Sequence, residues 1–223
     1  MIASRSNRCR ADFIAAGLAT AGLAIAGLAA LDLTAVLHYT MCMSYAHNRT
    51  ANLLGATILA LSDDMNAATA RAAGQAGQAP AALVELAEHP GLTVDGLRRR
   101  LKLTHPAVVR LLDRLDERGL IRRRRGNADA RTTAITLTEH GQAIATEVTA
   151  ARTAVLEKAL LAVTDDQQHH LEQLLEALLA EWPRTPDHSC QICRLCDLSA
   201  CPADRCPVEQ RYQQFAGQDS HTP

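Results

Sequence analysis

The chain has 223 residues and a formal net charge of -1, with 23 Lys and Arg against 24 Asp and Glu. Its length suffices for one good core with appendages, and 3% aromatic residues beside abundant Ala and Leu favour a mainly α-helical fold. No nucleophile elbow, phosphate-cradling glycine loop or HExxH occurs, and the scattered histidines lack spaced carboxylate partners, so the chain is read as a non-enzyme.

The first element is an apolar run. Phe13 to Leu31 is uncharged and long enough for a membrane span or a signal sequence. Arg5, Arg8 and Arg10 precede it and no Lys or Arg follows until Arg49, so the positive-inside tendency would put the rest of the chain outside the cytoplasm. Its Ala and Gly content also weakens insertion. Residues 1–40 are therefore read as an N-terminal extension, an over-extended gene start with Met41 or Met43 as the true one; an accessory helix of a dimer and a true anchor are the alternatives. The chain is expected to be cytoplasmic, without a membrane partner.

From Asn48 to about Arg71, Leu53, Leu54, Ile58, Leu61 and Met65 lie largely on one side of a helix that Gly74-Gln75-Ala76-Gly77-Gln78 ends. A short helix starts at Pro80 and stops at His89-Pro90-Gly91. Thr93 then caps a helix whose apolar positions are Val94, Leu97 and Leu101, while Arg98, Arg99, Arg100 and Lys102 fall on other faces. Thr104 and Pro106 restart the chain as a second helix, since Thr is a favoured cap and Pro is tolerated in a first turn. Its apolar set is Val108, Leu111, Leu112 and Leu115, which leaves His105, Ala107, Val109, Arg110 and Arg114 on a face that does not pack. Gly119 ends it. Leu120 to Arg125 and Thr132 to Leu137 read as strands around the turn Gly126-Asn127-Ala128-Asp129-Ala130, a hairpin wing.

Residues 97–131 hold twelve of the 23 Lys and Arg against four acids, a surplus of eight positive charges in a nearly neutral chain. Such a patch neutralises phosphates and releases counterions, giving salt-dependent binding to double-stranded DNA, while a few side chains of the second helix read base edges.

The run LTVDGLRRRLKLTHPAVVRLLDRLDERGLIRRRRGNADARTTAITLTEHG resembles the winged helix-turn-helix of the MarR family of bacterial transcription regulators. It includes an Asp-x-Arg wing, Asp129 and Arg131, and a Leu-Thr-x-x-Gly entry to the next helix at Leu137, Thr138 and Gly141. The resemblance covers roughly residues 47–183. It implies a homodimer built through long terminal helices, with the second helix of the motif in the major groove and the wing arginine in the minor groove. Carried over, it puts His105, Arg110 and Arg114 on base edges or nearby phosphates and Arg131 at the wing tip, steadied by Asp129. Arg122, Arg123, Arg124 and Arg125 then lie along the DNA backbone path, and Thr104 is open to capping, DNA contact or both. The arginines at 98 to 100 depart from the family's pattern, as further phosphate contacts or as exposed residues. Small-molecule effectors are common in the family, but nothing in the sequence names one.

Beyond the wing, Glu139 to Val163 reads as a long amphipathic helix, and Thr164 with Gln167 reads as a capping box opening another, Asp165 to Trp182. Leu171, Leu174, Leu175, Leu178 and Leu179 give it a face too broad to leave wet, to be covered by the same domain or, as preferred here, by a partner subunit. His169 and His170 are read as solvated.

Residues 187–210 form a cysteine-rich tail, and 211–223 are expected to be disordered. Cys190-x2-Cys193-x2-Cys196-x4-Cys201-x4-Cys206 places five of the seven cysteines within seventeen residues. Close spacing lets thiolates converge on one ion at little loop-closure cost. The preferred ligand set is Cys193, Cys196, Cys201 and Cys206, with Cys190 or His188 as alternates. Zinc, an iron-sulfur cluster and reversible disulfides remain open, the cluster being put in doubt by x4 in place of the ferredoxin x3 before Cys201-Pro202. The function expected is a homodimeric transcription regulator, a repressor, acting on a pseudo-palindromic operator and modulated by metal or redox chemistry at these cysteines. Its rival is a metal- or cluster-carrying protein whose winged helix mediates protein contacts.

Overall fold

The structure, a computed structural model, describes residues 33–125 and 133–219. The apolar run Phe13–Leu31 and the wing tip with Asp129 and Arg131 lie outside the described residues. In order the elements are α1 (Leu33–Ala73), α2 (Ala79–Glu88), β1 (Leu92–Thr93), α3 (Val94–Arg100), α4 (His105–Glu117), β2 (Ile121–Arg125), β3 (Thr133–Leu137), α5 (Glu139–Leu160), α6 (Asp165–Glu181), α7 (Pro186–Cys193) and α8 (Pro207–Asp219).

Helix α1 starts well before the expected Asn48. No Pro or Gly interrupts the sequence between Leu33 and Leu54, so nothing there breaks helical hydrogen bonding. Its end is where the glycines predicted it. Gly74 takes φ +60, its N–H bonds the Arg71 carbonyl at 3.1 Å, and the Gln75 N–H bonds the Ala70 carbonyl at 3.1 Å.

Contacts divide the chain into two units, residues 1–59 and 60–223. In the first, the helical residues Leu53, Leu54, Ile58 and Leu59 are all about half exposed or more. The second contains the core. Helix α2 is buried from Ala79 through Leu86, as its almost wholly apolar sequence requires. Around it pack Leu97 and Leu101, the four apolar residues of α4, Leu120 just before the sheet, Ile121 and Ile135 within it, and Ala145 and Val148 from α5.

The sheet is antiparallel with order β1-β3-β2. Its register pairs Ile121 with Leu137 and Arg123 with Ile135, while Arg122 pairs with Thr136 and Arg124 with Ala134. Because side chains alternate along a strand, Arg123 shares the face of buried Ile135, and Arg122 and Arg124 share the other face. At the base of the wing, Thr138 caps α5 by accepting from the Gly141 N–H at 3.0 Å, and its own hydroxyl donates to the Gly119 carbonyl at 2.7 Å. A Cβ at Gly141 would stand 2.0 Å from the Leu120 carbonyl oxygen, so only glycine fits this close approach.

Helix α5 ends at Leu160 rather than Val163. Thr164 must adopt extended backbone to form the capping box with Gln167, and the preceding residues unwind to bring it there. No residue of α6 is buried; Leu174 is 64% exposed. The cysteine-rich segment packs within residues 60–223, α7 against α3 and α8 against α7 and α6. Helix α8 runs to Asp219, where disorder was expected from 211 onward. Val208 is buried, the Arg211 guanidinium lies 5.1 Å from the Phe215 ring centre, and Glu209 accepts from Gln213 at 2.5 Å, so local pairs hold a polar segment helical.

Candidate nucleic-acid interface

Helices α3 and α4 owe their geometry to local sequence. The Thr93 hydroxyl accepts from the Gly96 N–H at 3.0 Å and starts α3. At its far end Lys102 takes φ +53, with its N–H on the Arg99 carbonyl at 3.1 Å and the Leu103 N–H on the Arg98 carbonyl at 3.0 Å. This is a Schellman turn with lysine in the position glycine prefers. Thr104 occupies the cap position of α4, but its side chain makes no capping bond and is exposed, so its hydroxyl is left to other partners. Gly119, at φ +68, closes the same kind of turn at the other end, with the Leu120 N–H on the Leu115 carbonyl at 2.9 Å.

Val108, Leu111, Leu112 and Leu115 are all buried, as their spacing predicted. Thr104, His105, Arg110 and Arg114 are exposed, with Val109 and Ala107 half-buried. Arg110 and Arg114 stand one turn apart on the outward face, and among the described residues neither forms an ion pair. Two like charges at that spacing repel, so this face is arranged for an external anion rather than for stability.

The four arginines of β2 divide. Arg123 turns toward α4 and pairs with Asp113 at 2.5 Å and Asp116 at 3.6 Å. Its single positive charge is shared between two carboxylates of α4 and ties the wing to that helix. Arg122 and Arg124 project from the opposite face of the strand, exposed and without ion pairs among the described residues. The side chain of Arg125 lies outside the described residues.

The arginines at 98 to 100 are engaged by acids of the same chain, Arg98 and Arg99 at the surface and Arg100 with a buried partner. Arg98 bonds Asp95 at 2.7 Å and Arg99 also binds Asp95, holding that carboxyl below its ordinary range; Arg99 further approaches Asp187 of α7 at 3.7 Å. Arg100 reaches Glu85 of α2 at 2.8 Å. Arg118 donates to the Ala73 carbonyl at 2.8 Å, closing the C-terminus of α1.

Glu85 was missed in the sequence, although a lone acid within APAALVELAE is the available signal. Its side chain is 5% exposed, and burial pushes its carboxyl up despite the opposing pull of Arg100. His89, 3.8 Å from Glu85, is held below the ordinary imidazole value by burial and then by Arg100.

This pair borders a cavity of about 330 Å3, lined also by Cys190, Cys193, Cys196, Cys201 and Cys206. His188 does not line it; its Nδ1 accepts from the Arg184 N–H at 3.3 Å. Electrostatically, Cys193 acts with Cys196 and Cys201 with Cys206. The hydrogen bond from Cys193 lowers Cys196 to about 6 and pushes Cys193 itself up. Burial, then the bond with Cys206, pushes Cys201 up to about 11, and burial raises Cys190. Among the described residues no three His, Cys, Asp or Glu groups converge as ligands of one ion. No helix among them is long and apolar enough to cross a membrane.

Comparison with known proteins agrees with this architecture. A family model described as the MarR family matches residues 76–132. Over 85 residues the chain is 31% identical to the HTH-type transcriptional repressor MdtR of Bacillus subtilis (strain 168), covering 38% of this chain and 55% of that protein, so it spans about half the length of this curated relative. Among solved structures, the YusO protein of Bacillus subtilis matches with a TM-score of 0.56 at 24% identity, over 63% of this chain and 98% of that one. The MarR family transcription regulator SP03579 matches with a TM-score of 0.50 at 28% identity, over 65% and 93%.

Proposed function

Because residues 76–132 match a family model described as the MarR family, we propose that the chain is a MarR-family transcription regulator that binds double-stranded DNA as a homodimer. The observation that carries this reading is the pair Arg110 and Arg114, exposed on the outward face of α4, with Arg122 and Arg124 exposed on the adjoining strand, all four without ion pairs among the described residues. Helix α4 enters the major groove, where His105 and Arg110 read base edges and Arg114 and Thr104 anchor on them or on phosphate. Arg122, Arg124 and Arg125 follow the backbone, and the wing tip, Asp129 and Arg131, reaches the minor groove. Arg123 acts from behind by holding the α4 carboxylates.

A second copy covers the apolar side chains that α1 and α6 leave in water, among them Leu53 and Ile58, and Leu174 and Leu178. Two readers then face half-sites about one helical turn apart on a pseudo-palindromic operator. Repression rather than activation is supported by the name of the MdtR relative, and the cysteine cavity at α3 is the point at which metal or redox state modulates binding. Selection of bound duplexes from a random pool, with sedimentation of the complex, tests this reading. The expected result is an inverted repeat bound by two chains. Enrichment of no sequence, with one chain per duplex, would contradict it. The rival, a winged helix used for protein contacts, offers no reason for four arginines without acidic partners among the described residues.

A further inference from the structure

We propose that Cys193, Cys196, Cys201 and Cys206 bind one zinc ion as a four-thiolate structural site that braces the first helix of the DNA-reading motif. The spacing x2-x4-x4 makes each cysteine pair a short pincer. The first is closed by a turn, with the Cys196 N–H on the Cys193 carbonyl at 2.7 Å. In the second, the Arg205 and Cys206 N–H groups both bond the Pro202 carbonyl, at 3.0 and 2.9 Å. All four cysteines of the two pincers line the same cavity.

Four thiolates complete a tetrahedral zinc shell with no inorganic sulfide, whereas the x4 step before Cys201-Pro202 departs from the x3 of the ferredoxin cluster run. Among the described residues three donors do not converge on one point. Residues 194–206 contain no helix or strand, so bringing the two pincers together breaks no regular element. Cys190, three residues before Cys193 on α7, lies outside both pincers and is the spare thiol.

The site would act through α7. Gln191 donates to the Arg99 carbonyl at 3.1 Å, and Asp187 lies 3.7 Å from Arg99, so the helix that carries Cys193 also grips α3. Each ligand is a thiolate when bound, and zinc binding releases the thiol protons to solvent without any change of oxidation state. The bracing effect rests on the DNA-binding reading above; the metal site does not.

The test is metal analysis of the full-length chain purified under reducing conditions without a metal-binding tag, followed by cobalt(II) titration of the metal-free protein. We expect about one zinc per chain, and tetrahedral thiolate–cobalt absorption saturating at about one equivalent. Cys190→Ser should keep the metal, and Cys196→Ser and Cys206→Ser should each lose it. Iron with inorganic sulfide, loss of zinc in Cys190→Ser, or a reduced chain that takes up neither zinc nor cobalt would each overturn the site. If zinc binds but its removal leaves DNA affinity unchanged, the brace fails while the site stands.

Discussion

Glu85 shows the strongest competition between effects at a single residue. Burial favours its protonated form and Arg100 favours the ionised one, with burial the larger influence. Breaking such a pair from the cationic side leaves a buried charge, so Arg100→Ala should cost about 3 kcal/mol near neutral pH, whereas Glu85→Gln, which keeps an acceptor for Arg100, should cost less. The pH dependence follows from the raised carboxyl. The stability it contributes is fully present below the unfolded value near 4.5 and is lost as pH rises through the higher folded value. The deficit of Arg100→Ala should therefore shrink on acidification, which urea denaturation at two pH values would check; a pH-independent deficit would contradict it.

Residue roles were only partly legible in the sequence. Alternation along β2 could have split its four arginines into two faces, but only the register with β3 shows that Arg123 points toward Asp113 and Asp116. The pairing of Arg100 with Glu85, fifteen positions away, has no local signal at all. The arginine surplus over residues 97–131 was visible, yet Arg98, Arg99, Arg100, Arg118 and Arg123 are held by intramolecular partners.

At the scale of elements, chain punctuation carried most of the information. The Thr93 and Thr138 caps, the Thr164 capping box and the Gly74 and Gly119 ends are all local chemistry, and all stand in the structure. The start of α1 was not legible because no stop signal precedes Asn48, and α8 was not because its stability comes from polar pairs rather than an apolar stripe. Two predictions belong here. Lys102→Gly should raise stability by about 1 kcal/mol by relieving left-handed backbone, read as a higher Tm. Gly141→Ala should lower it by about 3 kcal/mol, because a methyl group there meets the Leu120 carbonyl, a backbone atom that cannot turn aside. An unchanged Tm in the second variant would mean that the wing base is not packed as described.

For the whole molecule, the apolar side chains of α1 and α6 matter most. Leu174 and Leu178 lie one turn apart and largely in water in the single chain. Replacing both with Gln should leave the fold intact and shift sedimentation toward the monomer at micromolar concentration. A dimer of undiminished strength would place the interface elsewhere. Since a dimer presents two readers at once, the same variant should lose affinity for a full operator far more than for a half-site.

That α4 reads DNA is tested most directly by the salt dependence of duplex binding, followed by fluorescence anisotropy for the parent chain and for Arg110→Ala/Arg114→Ala. The parent should bind an inverted-repeat duplex with an affinity that falls steeply as salt rises. The double variant should lose at least about 2 kcal/mol at moderate salt, with a slope shallower by about one for each phosphate contact removed. Equal affinity and equal slope for the two proteins would contradict the assignment of α4 as the reading helix.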